Sequence, residues 1–309
     1  MRDVHHKLRR LSGSRFISLE QGGQLIGAYV LRGKKVRIGG TEYPAYYRTF
    51  LAVDPSKSGQ GYGTVLVQET RRHYSRKLGK AGVLYGYIEA DNESSLRVSQ
   101  HAGYVPVGSF STTLFNRLRP RDDPRVRSLA VGERGRLVAL LNEQYAEHAL
   151  RDFEQSVDAA SYYVLAEDHA ISAGMQIEPC HWQVLRLPGV SGRLLIQIVS
   201  RVPGLRRLFD ARNCRFLKLG NLYVCPGKES EVFTLAEALL ARVGVTLAMA
   251  FQDTRSPVYQ RIARCGSFGI LNSGVDARVY VMAALEGFTS AQRAECRQMP
   301  LCISPMDIG

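Results

Sequence analysis

The segment FLAVDPSKSGQGYGT, residues 50–64, sets three glycines at alternate positions between an apolar run and an amphipathic stretch. The apolar run Tyr46–Val53, closed by Asp54-Pro55, predicts a strand. From Thr64 to Gly79, apolar residues recur at helical spacing. Without Cβ atoms in the loop, an oxygen-rich group can approach the main chain. Because the first helical N–H groups and the helix dipole favour an anion, the segment predicts a phosphate or pyrophosphate cradle.

Two common phosphate-binding motifs do not fit this loop. A P-loop would need Gly-Lys-Ser/Thr after a four-residue gap, and a dinucleotide fingerprint would need GxGxxG, whereas Gly59, Gly61 and Gly63 give GxGxG. The loop alone is therefore also compatible with a flexible glycine-rich turn that binds no ligand.

The elements around the loop predict the order ββ, β, loop, α, β, α, β. Asn92 has capping chemistry for the second of these helices, and Gly103 ends it. The runs that give the order are Arg15–Leu19, Gln24–Leu31, Tyr46–Val53, the helix from Thr64, Val83–Ile88, Ser95–Ala102 and Tyr104–Phe110.

The second half of the 309-residue chain repeats this order at a nearly constant offset. Three pairs of turn residues show it: Gly79 and Gly244 are 165 residues apart, Asp91 and Asp253 162, and Gly103 and Gly266 163. A fixed offset is typical of duplicated architecture. The sequence predicts an α/β protein with domains at 1–118 and 129–309, joined by a charged linker at 119–128; the second domain lacks the glycine loop.

The strand, loop and helix, taken with the later Asn92 and Gly103-Tyr104, resemble the GNAT family of acyl-CoA-dependent N-acyltransferases. The family's loop pattern is Arg/Gln-x-x-Gly-x-Gly/Ala, which Gly61 and Gly63 match, with Ser58 in place of the usual Arg or Gln. The resemblance is clear over residues 14–115 and extends only to element order over 130–285. It implies two tandem GNAT-like domains, the second degenerate, each with a mixed, mostly antiparallel sheet flanked by helices.

The resemblance also implies acetyl-CoA as co-substrate, with no metal. The central strand would splay at a bulge, the pantetheine arm would lie along Leu51–Val53, and the pyrophosphate would sit on the Gly59–Thr64 amides. The residues expected to contact the cofactor are Leu51, Ala52, Val53, Ser58, Gly59, Gln60, Gly61, Tyr62, Gly63, Thr64, Asn92 and Ser95.

The reaction implied is direct attack of an amine on the thioester in a ternary complex. Many family members place at the position of Ser99 a tyrosine that protonates the leaving thiolate, and a serine hydroxyl is a far weaker acid. Glu89, at the end of a strand, is a candidate base, with Tyr47 behind it. Glu89, Ser99 and Tyr47 are the candidate catalytic residues, although a structural role is more common for polar groups at strand ends.

Charge and composition leave the partner open. Lys and Arg number 41 against 28 Asp and Glu, and residues 1–120 carry a net +11. A basic surface attracts nucleic acid, acidic lipid or a polyphosphate cofactor alike. The basic insertion 193–218 has no assigned role. A small-molecule or peptide amine is the expected acceptor; nucleic acid is not favoured, and a homodimer stays open.

Six cysteines without a CxxC pair indicate free thiols in a reducing compartment. There is no apolar run of about 18–20 residues and no apolar stretch after Met1–Arg10. We therefore expect a cytoplasmic protein. Two other functions remain: a non-catalytic acyl-CoA sensor or scaffold, which the serine at 99 suggests, and a protein like the tRNA-dependent aminoacyl transferases, which the intact loop argues against.

Overall fold

One mixed sheet runs through both halves of the chain in the computed structural model, which describes residues 13–167, 170–183, 210, 212–269, 278–304 and 307–308. Its strands are β1 (Ser14–Gln21), β2 (Gln24–Ile38), β3 (Thr41–Val53), β4 (Gly82–Glu89), β5 (Val105–Asn116), β6 (Val126–Ser128), β7 (Tyr162–Glu167), β8 (Ala170–Trp182), β9 (Cys214–Val224), β10 (Leu247–Gln252) and β11 (Arg278–Glu286). The helices are α1 (Tyr62–Ser75), α2 (Glu93–His101), α3 (Arg134–Gln144), α4 (Phe153–Ser156), α5 (Glu231–Val243), α6 (Pro257–Cys265) and α7 (Ser290–Gln298). The predicted mixed sheet flanked by helices is confirmed.

The strand order is β1-β2-β3-β4-β11-β5-β10-β9-β8-β7-β6. The last strand, β11, therefore lies between β4 and β5 of the front half and is antiparallel to both. In turn, β5 pairs with β10 of the rear half. The two halves share strands, so the sheet does not divide at the linker. Parallel pairing occurs where a helix connects two strands, at β3–β4 through α1 and at β9–β10 through α5.

The linker is attached to the rear half by ion pairs. Just before the linker, Arg117 lies 3.3 Å from Glu237, and within it Asp122 lies 2.7 Å from Arg242; Glu237 and Arg242 are both on α5. Its end, Val126–Ser128, joins the sheet as edge strand β6. The basic insertion 193–218 falls largely outside the described residues.

Two apolar clusters cover opposite faces of the front strands. The helix face carries α1 and α2, whose Leu66, Val67 and Tyr74 pack on Leu84 and its neighbours. The opposite face, called the inner face below, contains Tyr47, Val83, Tyr85, Val281 and Leu301. None of the described helices combines the length and apolar character that a membrane span needs.

Candidate active site

A gap opens between the two central strands of the front half. Strands β3 and β4 pair in parallel as far as Arg48 and Gly86, and no further. The register of β3 against β2 shifts just beyond this point, and Phe50 takes a left-handed conformation with φ 53°. This is a β-bulge, which bends a strand away from its neighbour. Residues 51–53 of β3 and 87–89 of β4 therefore face each other without pairing, as the sequence resemblance implies.

The glycine loop lies directly beyond this gap. Gly59 and Gly61 have φ values of 79° and 83°, a region that disfavours other residues, and Gly61 is the N-cap of α1. The cap makes no side-chain hydrogen bond, and the first main-chain bond of the helix runs from Val65 N–H to Gly61 O. Within the described residues no acceptor is found for the N–H groups of residues 59–64. The helix dipole adds a partial positive charge, so the loop suits an anion.

The other predicted cofactor residues lie on β3, in the loop and at the start of α2. Leu51 and Val53 are half-buried, and Ser58 and Gln60 are exposed. Asn92 caps α2, its Oδ1 accepting the Ser95 N–H at 3.1 Å. The main-chain N–H of Ser95 is therefore already bound within the protein.

Ser99 lies beside a buried guanidinium. Ser99 is 1% exposed, and its Oγ accepts a hydrogen bond from Arg48 Nη2 at 2.8 Å. The Arg48 guanidinium stacks on Tyr104 with 4.0 Å between Cζ and the ring centre. No carboxylate of the described residues forms an ion pair with Arg48, and its Nε has no hydrogen-bond partner there. Gly86 leaves room for the side chain, since a Cβ would lie 2.5 Å from Arg48 Cγ. An uncompensated positive charge is thus buried where the two strands part.

The inner face holds a buried cluster of one lysine and two aspartates. Lys34 Nζ donates to Asp152 Oδ2 at 2.6 Å and to Asp307 Oδ2 at 2.5 Å. Burial lowers the pKa of Lys34, but the two carboxylates outweigh it and raise that pKa overall. Burial raises the pKa of Asp307, against the opposing effect of Lys34. Tyr47 donates from its hydroxyl to Asp307 O at 2.7 Å, and burial raises its pKa. The tyrosine therefore stays protonated near neutral pH.

A pocket of about 370 Å³ adjoins this cluster. Front-half residues of its wall include Arg32, Lys34, Thr49 and Phe50, and rear-half residues include Gln176–Pro179 and Lys218. Four strands lie between β3 and β9 in the sheet, so the sheet must curl for the β2–β3 and β8–β9 pairs to line one pocket. The pocket reaches the bulge from the inner face. Residues of the segment 152–161 and the C-terminal Asp307 and Ile308 complete its wall.

Glu89 lies outside this pocket wall. It is exposed at the end of β4, and strand alternation places it on the inner face with Tyr87. Of the three catalytic candidates, Ser99 thus lies on the helix face, and Tyr47 and Glu89 lie on the inner face. Sequence reasoning missed Lys34, Asp152 and Asp307, because no local pattern connects residues 118 and 273 positions apart.

The rear half has a matching bulge but no cradle. There β9 and β10 pair in parallel over only three positions, and Asn221 has φ 47°. The space beyond is a cavity of about 40 Å³ lined by apolar groups such as Phe233, Phe268 and Leu222. Gly227 has φ 81°, but α5 begins with Glu231, an acidic residue, instead of a run of glycines.

Comparisons with known proteins agree with the front-half geometry. Residues 1–104 match the model of the Acetyltransferase (GNAT) family. The match covers the front third of the chain, which contains the glycine loop and the gap between β3 and β4. No curated protein matches the sequence.

Solved structures resemble the fold over most of the chain. A GCN5-related N-acetyltransferase from Anabaena variabilis ATCC 29413 has a TM-score of 0.54 and 10% identity, covering 92% of this chain and 66% of its own. One from Kribbella flavida has a TM-score of 0.52 and 14% identity, with coverages of 88% and 60%. N-myristoyltransferase of Saccharomyces cerevisiae, solved with bound myristoyl-CoA, has a TM-score of 0.51 and 11% identity, with coverages of 86% and 68%. The likeness is one of fold, and the chain spans about two thirds of the length of these proteins.

Proposed function

We propose that the chain is an acyl-CoA-dependent N-acyltransferase that transfers an acetyl group from acetyl-CoA to an amine by direct attack in a ternary complex. One observation carries the proposal. The gap between β3 and β4 leads directly to a loop whose main-chain N–H groups, over residues 59–64, find no acceptor in the described chain. A thioester with a pyrophosphate at the far end of its arm fits that arrangement.

In this proposal the pantetheine arm pairs with Leu51, Ala52 and Val53. The pyrophosphate accepts hydrogen bonds from the amides of Gly59–Thr64, with Ser58, Asn92 and Ser95 beside the cofactor. An N–H freed by the bulge polarises the thioester carbonyl. A donor aimed at a developing oxyanion contributes about 3–4 kcal/mol where it has been measured in other enzymes.

The leaving thiolate would be stabilised on the helix face. Ser99 contributes a hydroxyl, and Arg48, 2.8 Å from Ser99 Oγ, contributes a positive charge with no carboxylate partner in the described chain. A fixed cation in a buried site stabilises a developing anion without reorganisation. A tyrosine acid would then not be required.

Proton removal would occur on the inner face. Glu89 is exposed at the end of β4 and would pass a proton released in the site on to solvent. Tyr47, whose hydroxyl is bound to Asp307 O, would hold the C-terminal segment in place.

We further propose that residues 1–118 and 129–309 are tandem units of one architecture, joined by 119–128. Only the front unit would bind the cofactor. The rear unit would form part of the site that binds the acceptor, a small-molecule or peptide amine. We place the protein in the cytoplasm.

Calorimetry with acetyl-CoA tests the cradle, and the chain offers a matched control. Gly61 and Gly227 both have left-handed φ, 83° and 81°, and a Cβ added at either position would meet no other atom within 4 Å. Both Gly61→Glu and Gly227→Glu therefore carry the same backbone strain. We expect Gly61→Glu to lose acetyl-CoA binding, because its carboxylate would repel the pyrophosphate, and Gly227→Glu to keep it. Equal affinities in the two variants would contradict the cradle.

Release of free thiol from acetyl-CoA across a panel of amines tests turnover. Binding without release in any member would favour the sensor or scaffold. Repeating the titration with octanoyl-CoA and myristoyl-CoA would test the acyl length.

A further inference from the structure

The inner-face cluster is built around two deeply buried carboxylates. Lys34 faces two carboxylates, Asp152 and Asp307, and the exposed fractions of the three side chains are 3%, 5% and 1%. Arg32 approaches Asp307 Oδ1 at 3.5 Å, but its side chain is 27% exposed. A buried carboxylate without full compensation is costly. Asp307 Oδ1, with a partly exposed arginine as its only ion-pair partner among the described residues, is therefore the oxygen that a further hydrogen-bond donor would stabilise.

Asp307 is the member of the cluster with a free acceptor. Its Oδ2 is bound to Lys34, whereas its Oδ1 accepts no hydrogen bond from the described residues. Asp307 also lines the 370 Å³ pocket, together with the bulge residues Thr49 and Phe50. The same pocket thus joins an underused buried carboxylate to the point where the thioester is proposed to lie.

The rest of the pocket wall limits what could bind. Phe50, Ile177, Pro179 and Ile308 provide apolar surface. The other wall residues are polar or charged. Sites for small molecules, whose volumes are about 300–1,000 Å³, combine apolar surface with convergent polar groups. An aliphatic chain that ends in an ammonium group matches both features.

We propose that this pocket, built by both halves of the chain, binds the acceptor as an aliphatic primary ammonium, and that Asp307 removes its proton. The proposal rests on the proposed function, because it identifies the acceptor side of that reaction.

The reaction then balances as follows. The ammonium gives one proton to Asp307 Oδ1, and the nitrogen lone pair forms a bond to the thioester carbonyl carbon. The C–S bond breaks, and its electron pair leaves with the CoA sulfur. The nitrogen loses its second proton, through water, to that thiolate. The products are the N-alkyl acetamide and CoA thiol, and the Asp307 proton returns to solvent.

Two isosteric substitutions separate a base from a structural charge. Asp307→Asn and Asp152→Asn each leave Lys34 with one carboxylate, so both lose the same charge at nearly the same burial. The assay measures thiol release from acetyl-CoA with a series of n-alkylamines from propylamine to hexylamine, over pH 6.5 to 9.5. Calorimetry with acetyl-CoA is run on each protein first.

The pH profile distinguishes the two aspartates. Charged or titratable groups that act on Asp307 or are acted on by it are Lys34, Asp152, Arg32, Tyr47, Tyr85 and Tyr87. With a carboxylate base, kcat/KM stays nearly flat over this range, since the amine is delivered as its ammonium form. In Asp307→Asn only free amine can react, so kcat/KM should fall about 100-fold at pH 7 and rise about tenfold per pH unit. Asp152→Asn changes the pocket wall but not the base, so its loss of kcat/KM should be the same at every pH and the profile should keep its flat shape.

Each outcome decides a different question. If the wild-type protein binds no acetyl-CoA, the proposed function fails. If it binds acetyl-CoA but no alkylamine accelerates thiol release, the acceptor assignment is overturned. The same holds if Asp307→Asn keeps a flat profile, or if both variants gain the same slope.

Discussion

Replacing Lys34 by methionine should destabilise the protein strongly near neutral pH. The substitution keeps an unbranched side chain but removes the cation that binds Asp152 Oδ2 at 2.6 Å and Asp307 Oδ2 at 2.5 Å. With side-chain exposures of 5% and 1%, solvent does little to screen the two aspartates. Breaking a buried ion pair by removing one partner costs about 3–5 kcal/mol. We expect a loss in this range at pH 7.5.

The loss should shrink in acid. In the variant, the folded-state pKa of Asp307 lies further above its ordinary value of 3.8, because burial raises it and the opposing charge of Lys34 is gone. As pH falls, Asp307 is therefore protonated in the folded state before it is protonated in the unfolded state, and the repulsion from Asp152 is relieved. The free energy of unfolding, relative to that of the wild type, should therefore recover as pH falls from 7.5 toward 4.

Urea denaturation followed by circular dichroism measures this free energy. Lys35→Met is the control, because Lys35 is adjacent in sequence but pairs with Glu42 at the surface, with side-chain exposures of 66% and 39%. An exposed pair contributes about 0–1 kcal/mol. If both variants lose the same small amount, or if the Lys34→Met loss does not change with pH, the buried cluster does not behave as its geometry indicates.

Three further outcomes are expected. Burial lowers the pKa of His148 from 6.5 to about 4. As pH falls from 6.5 to 4, the unfolded state therefore takes up a proton first, and the free energy of unfolding should fall by about 3 kcal/mol. His148→Gln should remove this slope in urea titrations. Gly86→Ala should lower the free energy of unfolding by about 1–3 kcal/mol in the same titrations, because the added Cβ would meet Arg48. Gly132→Ala, where a Cβ meets no atom within 4 Å, should lower it by no more than about 0.5 kcal/mol. Arg48→Met should slow acetyl transfer from acetyl-CoA about 100-fold in thiol-release assays. The slowing should be smaller with the acetyl thioester of a more acidic thiol, because that thiolate needs less stabilisation.

Local sequence signals predicted the front half well. Gly59, Gly61 and Gly63 stand between a strand and an amphipathic helix, and each of these elements is determined by neighbours a few residues away. Asn92 caps its helix as its residue type indicates. The strands β2 and β3 run longer than predicted, since their charged stretch, including Lys34, hides the alternation that marks a strand.

Long-range arrangement could not be read from the sequence. Nothing near Arg278–Glu286 shows that β11 inserts between β4 and β5, because strand order depends on contacts between distant segments. The same holds for Asp307, whose partners Lys34 and Tyr47 lie more than 250 residues earlier. Helix α7 escaped prediction because Ser290–Gln298 is almost entirely polar, with only Cys296 buried.

The central claim is that bare main-chain amides of the front half bind the pyrophosphate of an acyl-CoA. Hydrogen–deuterium exchange of the wild-type protein, with and without saturating acetyl-CoA, tests it most directly. The account predicts slower exchange in peptides covering residues 56–66 and no change in peptides covering 223–232, the corresponding loop of the rear half. Unchanged exchange over 56–66, or protection confined to 223–232, would contradict it.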